Sequence, residues 1–342
     1  MIKILILLST LLSAYTQILH LLYGVVTENS FQIKARTGDG KTLTFKIGDN
    51  TYELNPIDND TVHYLKNNDP ESADYYYELS LNNLQPNTEY FVRVFYNNVG
   101  ITSFDRKILT LGRDTLRFSV LSYQEKVKNN EFYNRVMSKN PDYILFLGDI
   151  DDGYSSNSLK KEIKEMYLDT LNKPNLKNTT SLLPLEYRLN DYCGPETNFD
   201  SCSQNQKTLI KNIYSITFPN QIDNYEQTGL FSSYVRQNIL FVNLDTRTFM
   251  NKDTGTLLGN EQKNRILAIL RDAKINNNIK SIIITTTTPW NYYKDAYERD
   301  WIKQKSYSLS EEFEMEKIEI ANAINEIRTK IIEKIFFIIK FF

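Results

Sequence analysis

Histidine is nearly missing from this 342-residue chain. Its two imidazoles are His20 and His63, and no residue after 63 carries one. Acid–base or metal chemistry that relies on histidine is therefore excluded from the later part, unless His63 reaches across a domain boundary. An excess of charge is missing too. The 40 basic and 42 acidic residues leave a formal net charge of -2. That removes the electrostatic case for nucleic acid or an anionic membrane surface. Cysteine is limited to Cys193 and Cys202. What remains is ordinary globular material, 41% hydrophobic and 24% charged, long enough for two or three domains.

The first residues, Met1-Ile-Lys-Ile-Leu-Ile-Leu-Leu-Ser-Thr-Leu-Leu-Ser-Ala14, place one positive charge before an apolar stretch. Ala14 and Thr16 are small enough to precede a cut at Gln17. This fits a secretory signal peptide over residues 1–16. A signal anchor is the alternative, because Ile18 to Tyr23 stays apolar beyond the polar break. A cleaved start implies a secreted or endomembrane-lumenal protein with no stable membrane span. The sequons at Asn59 and Asn178 are compatible with glycosylation on that route. Cys193 and Cys202 bracket a turn-rich loop. In an oxidising compartment they read as a local disulfide; two free thiols, or Cys193 as a metal ligand, are the alternatives.

Residues 24–112 read as a small all-β domain. Strand-like runs fall at Val25 to Thr27, Phe31 to Ala35, Thr42 to Ile47, Tyr75 to Leu81 and Tyr90 to Tyr96, with Gly- and Asp-rich turns between them. The segment Leu84-Gln-Pro86-Asn-Thr-Glu-Tyr90-Phe-Val-Arg-Val94 is more specific. A Leu, a Pro-Asn turn and a Tyr opening an alternating strand resemble the corner of fibronectin type III domains, where the Tyr hydroxyl bonds back to the turn backbone. This predicts an immunoglobulin-like sandwich. His63 and the run Tyr75-Tyr76-Tyr77 are expected at its surface.

A different texture opens at residue 113 and continues to 342. Thr115 to Leu121 is a strand closed by Ser122-Tyr123-Gln124. Asn130 to Met137 and Leu159 to Leu171 read as helices, and Leu182 to Leu189 is a short extended run ending at Asn190-Asp191. At the centre stands Pro141-Asp-Tyr-Ile-Leu-Phe-Leu-Gly-Asp149, followed by Asp151 and Asp152. An unbroken apolar run between turn signals reads as a strand buried on both faces. Leu230 to Tyr234 and Ile239 to Leu244 form a hairpin closing in Asp245-Thr-Arg247. Asn260 to Ala273 is a helix, Ser281 to Thr287 a buried strand, Glu311 to Ile332 a long amphipathic helix, and Lys334 to Phe342 an interior strand. Strands alternating with helices make this part α/β.

Several strands end in hard oxygen donors: Tyr123, then Asp149 with Asp151 and Asp152, then Asp245, with Asn190 or Asp191 as a further candidate. Such donors suit divalent or trivalent metal ions, with one Asp bridging two. A bridged pair about 3.5–4 Å apart clamps a phosphate and polarises a water. Arg247 adds a planar fork for phosphate oxygens. Any one of these residues alone is more simply a turn former, a helix cap or a surface ion pair.

The order of segments resembles the PhoD-like alkaline phosphatases, which are metallophosphatases. Gly24 to Ser30 looks like the family's opening strand. Phe118 to Gln124 is similar to its strand ending Ser-Cys-Gln, and Pro141 to Asp149 to its Pro-Asp strand ending Leu-Gly-Asp. Leu230 to Arg247 resembles its hairpin closing in Leu-Asp-x-Arg, and Leu258-Gly259-Asn-Glu261-Gln262 its Leu-Gly-x-x-Gln helix start. The resemblance implies an α/β metallophosphatase-like sandwich preceded by the fibronectin III or immunoglobulin-like domain. It implies a hydrolase of phosphate mono- or diesters, on a small molecule, a lipid or a polymer, using iron- or calcium-like metal ions. Asp149 takes the bridging role, and Asp245 and Arg247 match a motif near the site.

The chain departs from that pattern in places. Tyr123 stands at the family's Cys ligand, although Tyr can ligate iron. Asp151 and Asp152 occupy the loop of an aromatic or His ligand. Asn190-Asp191-Tyr192 replaces Asp-Asp-His-Asp. The closing Gly-Asp-x-His is absent before the end at Phe342. Truncation is one explanation, but the replaced positions lie far from that end, which favours divergence. The alternative function is thus a pseudophosphatase that keeps the fold and binds a partner or a phosphate ligand without turnover.

Overall fold

The computed structural model describes residues 18–38, 43–48, 63–65, 75–102, 105–112, 116–121, 135–136, 138–139, 141–146, 179–182, 219, 229–246, 248–249, 254–286, 314–328 and 334–339. The first part is antiparallel. One sheet runs β1 (Ile18–Gly24), β2 (Phe31–Thr37), β5 (Tyr75–Leu81), β4 (His63–Leu65), in that spatial order. The other pairs β3 (Leu43–Gly48) with β6 (Glu89–Tyr96), which also pairs β7 (Val99–Gly100) and β8 (Arg106–Leu109). Strand β6 shows why two sheets close on each other. Tyr90, Val92, Val94 and Tyr96 are buried, while the residues between them are half-buried or exposed. Period-2 alternation puts Tyr90, Val92, Val94 and Tyr96 on the core face, and Phe91, Arg93 and Phe95 on the half-buried opposite face. Those residues join Phe31, Ile33, Phe45, Leu79 and Leu84 in one core.

The expected corner forms. The Gln85 N–H donates to Tyr90 Oη at 2.8 Å, and the Tyr90 ring lies 6.5 Å from that of Phe31. Thr110 completes it, its hydroxyl accepting from Thr88 N at 2.9 Å and donating to Gln85 O at 2.6 Å.

Two expectations change. The first strand is Ile18–Gly24, not Val25 to Thr27, and residues 25–30 make the connection that follows rather than an opening strand. Val25 takes a left-handed φ of 51°, and Thr27 Oγ1 sits 2.6 Å from Ser30 Oγ, so local hydroxyl bonding diverts the chain from a ladder. Secondly, Tyr76 and Tyr77 are buried rather than at the surface. The outward face of the first sheet is itself covered: on β2 both Lys34 and Arg36 are buried beside the core residues. Strand β1 of that sheet lies near Thr179–Leu182 of the later part. His63 sits on β4 in register with Glu78.

The later part carries two sheets containing parallel pairs. In one, β9 (Phe118–Leu121), β10 (Tyr143–Phe146) and β11 (Thr179–Leu182) are parallel, with β10 in the middle. In the other, β12 (Ser232–Arg236) and β13 (Ile239–Asn243) form the expected hairpin, and β13, β14 (Ser281–Thr286) and β15 (Lys334–Ile339) run parallel. Among the described residues β15 pairs only with β14 and ends the sheet, so it is not an interior strand there. Helices α1 (Asn260–Ile275) and α2 (Glu314–Arg328) cover one face of this sheet. Leu240, Val242, Ile282 and Ile284 meet Ile266, Leu270, Ile320 and Ile324 there. On the opposite face Phe241 and Ile283 pack with Leu145, and Phe118 meets Phe241 edge-on at 5.8 Å. The layers are therefore helices, sheet, sheet, as an α/β sandwich requires. Both faces of β13 and β14 are buried, which is why they read as continuous apolar runs.

Candidate functional site

The candidate site is defined by the carboxyl ends of parallel strands, where ligands collect in open α/β sheets. Strands β9 and β10 are adjacent and in register from Tyr143↔Phe118 to Phe146↔Leu121, so they end level. Their start is pinned by Asp142. Its N–H donates to Arg117 O at 2.7 Å, and its carboxylate accepts from Arg117 N at 2.7 Å. The Pro-Asp pair that opens the central strand thus sets the register of its end. Phe118 is packed between the sheets, whereas Val120, on the same face and nearer the carboxyl end, is 36% exposed. The apolar packing between the sheets gives out in that direction.

Tyr123 follows β9 by two residues and Asp149 follows β10 by three in sequence. Both lie outside the described residues, as do Asp151, Asp152, Asn190, Asp191, Arg247, Cys193, Cys202, Asn59, Asn178 and residues 1–16, where a leader is expected. Among the described residues no group of His, Cys, Asp and Glu is arranged to hold a metal ion. No described helix is long and apolar enough to cross a membrane.

Of the strand-end carboxylates, Asp245 is described, and it is not an available metal donor. It is fully buried, and its Oδ2 accepts from Leu230 N at 2.8 Å and from Thr248 Oγ1 at 2.5 Å. Its Oδ1 accepts from Thr248 N at 3.0 Å. The carboxylate is a clasp for the turn after β13. Gly229 makes room for it: φ is +66°, and a Cβ there would lie 2.3 Å from Asp245 Oδ2.

The other motif residue, Gln262 on the first turn of α1, joins the same clasp. Asp245 N donates to Gln262 Oε1 at 2.8 Å, and Gln262 Nε2 donates back to Asp245 O at 2.8 Å and to Leu258 O at 3.0 Å. Leu-Asp-x-Arg and Leu-Gly-x-x-Gln are therefore halves of one hydrogen-bonded unit. Gly259 opens α1 at φ +72°, where a Cβ would meet Phe249 Cβ at 2.8 Å. Glu316 of α2 secures the loop before it, accepting from Leu257 N at 2.7 Å, Leu258 N at 3.1 Å and Thr256 Oγ1 at 3.0 Å.

Sequence reasoning did not single out a second polar feature. Thr285 Oγ1 donates to Asn243 Oδ1 at 2.7 Å, and Asn243 Nδ2 donates to Ser232 Oγ at 2.9 Å. All three side chains are buried and sit in one cross-strand row. By alternation the row continues the Phe241–Ile283 face, one step nearer the ends of β13 and β14. Buried polar groups cost about 1–3 kcal/mol each when unpaired, and here each has a partner. The signal for it was the switch from apolar to polar inside Leu240-Phe-Val-Asn243 and Ile284-Thr-Thr286.

Two sheets containing parallel strands face each other, with helices outside one of them and the ends of β9 and β10 level in the other. This arrangement is a fold found in other solved structures. It is shared with the solved structure of PhoD at a TM-score of 0.68 and 12% identity, over 94% of this chain and 70% of that one. It is also shared with purple acid phosphatase PPD1 from yellow lupin (Lupinus luteus) seeds, at a TM-score of 0.60 and 13% identity, over 93% of this chain. The chain spans 57% of the length of the lupin protein. No protein-family model matches the sequence, and no curated protein matches it.

Proposed function

We propose that the chain is a secreted or lumenal phosphoric ester hydrolase of PhoD-like type, acting on a mono- or diester of a small molecule, lipid or polymer. The observation that carries this is the pair of level, adjacent, parallel strand ends of β9 and β10 on a fold shared with two phosphatases. In this reading Asp149 bridges divalent or trivalent metal ions. Tyr123, Asp151, Asp152 and Asn190 or Asp191 supply further oxygen ligands, and Arg247 binds the phosphate. The metal would polarise the attacking water and stabilise the charge that develops on phosphorus-bound oxygens. Domain limits of 18–112, since β1 belongs to the first sheet, and 113–342 follow the same reading. The antiparallel orders β1-β2-β5-β4 and β3-β6-β7, with β8 also paired to β6, are compatible with an immunoglobulin-like first domain, in which two antiparallel sheets enclose one core. A disulfide between Cys193 and Cys202 and glycans at Asn59 and Asn178 belong to the secretory reading.

A second reading, a binding protein without turnover, is favoured by the lack of histidine beyond residue 63 and by Tyr123 at the family's Cys position. One experiment separates the two. Metal content of the purified chain is measured by mass spectrometry, together with hydrolysis of bis(p-nitrophenyl) phosphate under added iron, calcium, manganese or zinc. Stoichiometric metal, with turnover abolished in Asp149→Asn, is the expected result. Folded protein with neither metal nor turnover sinks the hydrolase and leaves the binding protein.

A further inference from the structure

The stretch that joins the two parts of the chain is held at both ends. On the first side Thr110 is tied to the corner: its N–H donates to Thr88 O at 3.0 Å and its hydroxyl to Gln85 O at 2.6 Å. Leu111 follows, with its N–H donating to Thr27 O at 2.9 Å and its C=O accepting from Asn87 N at 2.8 Å. Gly112 then passes so near the corner that a Cβ would lie 2.8 Å from Pro86 Cβ and 3.1 Å from Asn87 N. On the second side Arg117 is clamped to the start of β10. Its N–H donates to Asp142 Oδ2 and its C=O accepts from Asp142 N, both at 2.7 Å. Leu116 stands between these clamps and packs against two cores: the one containing Tyr90, Val92 and Val94 in the first part, and the one containing Leu145, Phe241 and Ile283 in the second. Beside it, Thr27, Asn29 and Leu111 face the hairpin turn at Val235, Arg236 and Gln237 across a cleft of about 200 Å³. Leu116 precedes β9 and that hairpin turn precedes β13, so both contacts fall at the amino ends of these strands. The candidate site is at the carboxyl ends.

We propose that the first part is a fixed brace on the amino ends of the α/β sandwich rather than a hinged arm, and that Leu116, shared by the two cores, couples them. Domains joined in one chain move relative to each other by default. A hinge needs a few residues free to change φ and ψ, and a swing about this one would pull Leu116 out of one core. The bonds at residues 110, 111 and 117 leave the linker little conformational freedom to lose, so packing one side chain on both cores costs little entropy. Opening of the first core then exposes apolar surface at the second.

The test is hydrogen exchange on the full chain, read in peptides spanning β6 and β13. The perturbation is Val92→Ala, since Val92 is fully buried in the first core. Loss of its two methyl groups is expected to speed exchange in β6 by about tenfold or more. With Leu116 in place, β13 is expected to speed up as well, by about threefold or more. In the Leu116→Ala background the same Val92→Ala change should still speed β6 and should leave β13 unaltered. Comparing within each background removes whatever Leu116→Ala does to stability by itself. Leu116→Val replaces Leu116→Ala if the latter does not fold, and should cut the transmitted effect by about half or more. Tyr90→Phe replaces Val92→Ala on the same condition. Exchange in β13 that ignores Val92→Ala while Leu116 is intact would show two parts opening independently, and overturns the inference. Equal transmission in folded Leu116→Ala would show that other contacts join the parts, and overturns the role given to Leu116.

Discussion

Tyr90→Phe removes one oxygen and nothing else. The ring stays in its buried place beside Phe31, so packing in the first core is conserved. The lost group is the acceptor for Gln85 N–H, bound at 2.8 Å in a part-buried site. A neutral hydrogen bond contributes about 0.5–1.5 kcal/mol net, and stranding the donor raises the cost towards about 1–3 kcal/mol. Thr110 limits the damage, because its bonds to Gln85 O and Thr88 N survive. The expected loss is therefore about 1–2 kcal/mol, or roughly 5- to 30-fold in an opening equilibrium. Hydrogen exchange with peptide-level resolution reads it directly. The Gln85 amide should lose protection by that factor, and the buried strand amides of Val92 and Val94 should follow if the corner opens together with the sheet. Thr110→Val, which removes two bonds, should cost more. Unchanged exchange at Gln85 in Tyr90→Phe would refute the argument, since it would mean that water replaces the hydroxyl at no cost.

Gly229→Ala tests the clasp from its other side. A left-handed φ costs an L-residue about 1 kcal/mol, and the new Cβ displaces the Asp245 carboxylate, whose bonds are worth about 1.5–3 kcal/mol each. A drop of about 3 kcal/mol or more in denaturant stability is expected, and wild-type stability would show that the carboxylate is free to move. Lys34→Met tests the covered face of the first sheet. Burial pushes the Lys34 ammonium below its ordinary pKa, and Glu78, 3.4 Å away, offsets part of that. The unfolded chain then binds more protons at this site than the folded one. Stability attributable to Lys34 must therefore rise as pH climbs from the folded pKa to the ordinary lysine value of about 10.4. Denaturation midpoints between pH 7 and 10 should show wild type gaining on Lys34→Met, and parallel curves would count against a buried ammonium.

The limits of the sequence show best at particular residues. Strand β6 was legible because alternation survives any context in which one face is dry. The corner was legible because Leu84, Pro86, Asn87 and Tyr90 are local to one another. Strands β10, β13 and β14 were legible as unbroken apolar runs, with Asp149, Asp151, Asp152 and Arg247 marked by their places after strand ends. Strand β1 was not, since an apolar stretch just after a leader-like start has the composition of either a leader or a strand. Its identity came from pairing with β2, from Ile18↔Thr37 to Gly24↔Gln32.

By itself the sequence determined which faces are apolar, where turns fall, that histidine chemistry is missing beyond residue 63, and that acidic residues follow buried strands. Only the tertiary structure decided which polar groups meet. The burial of Lys34, Arg36 and Tyr76 depends on what covers their sheet. Asp245 looked like a metal donor until Leu230, Thr248 and Gln262 were brought to it, the last from 17 residues away. The physical reason is that periodicity is written along the chain by hydrophobic burial. The partner of a carboxylate or an amide is set by which strands and helices come to lie side by side.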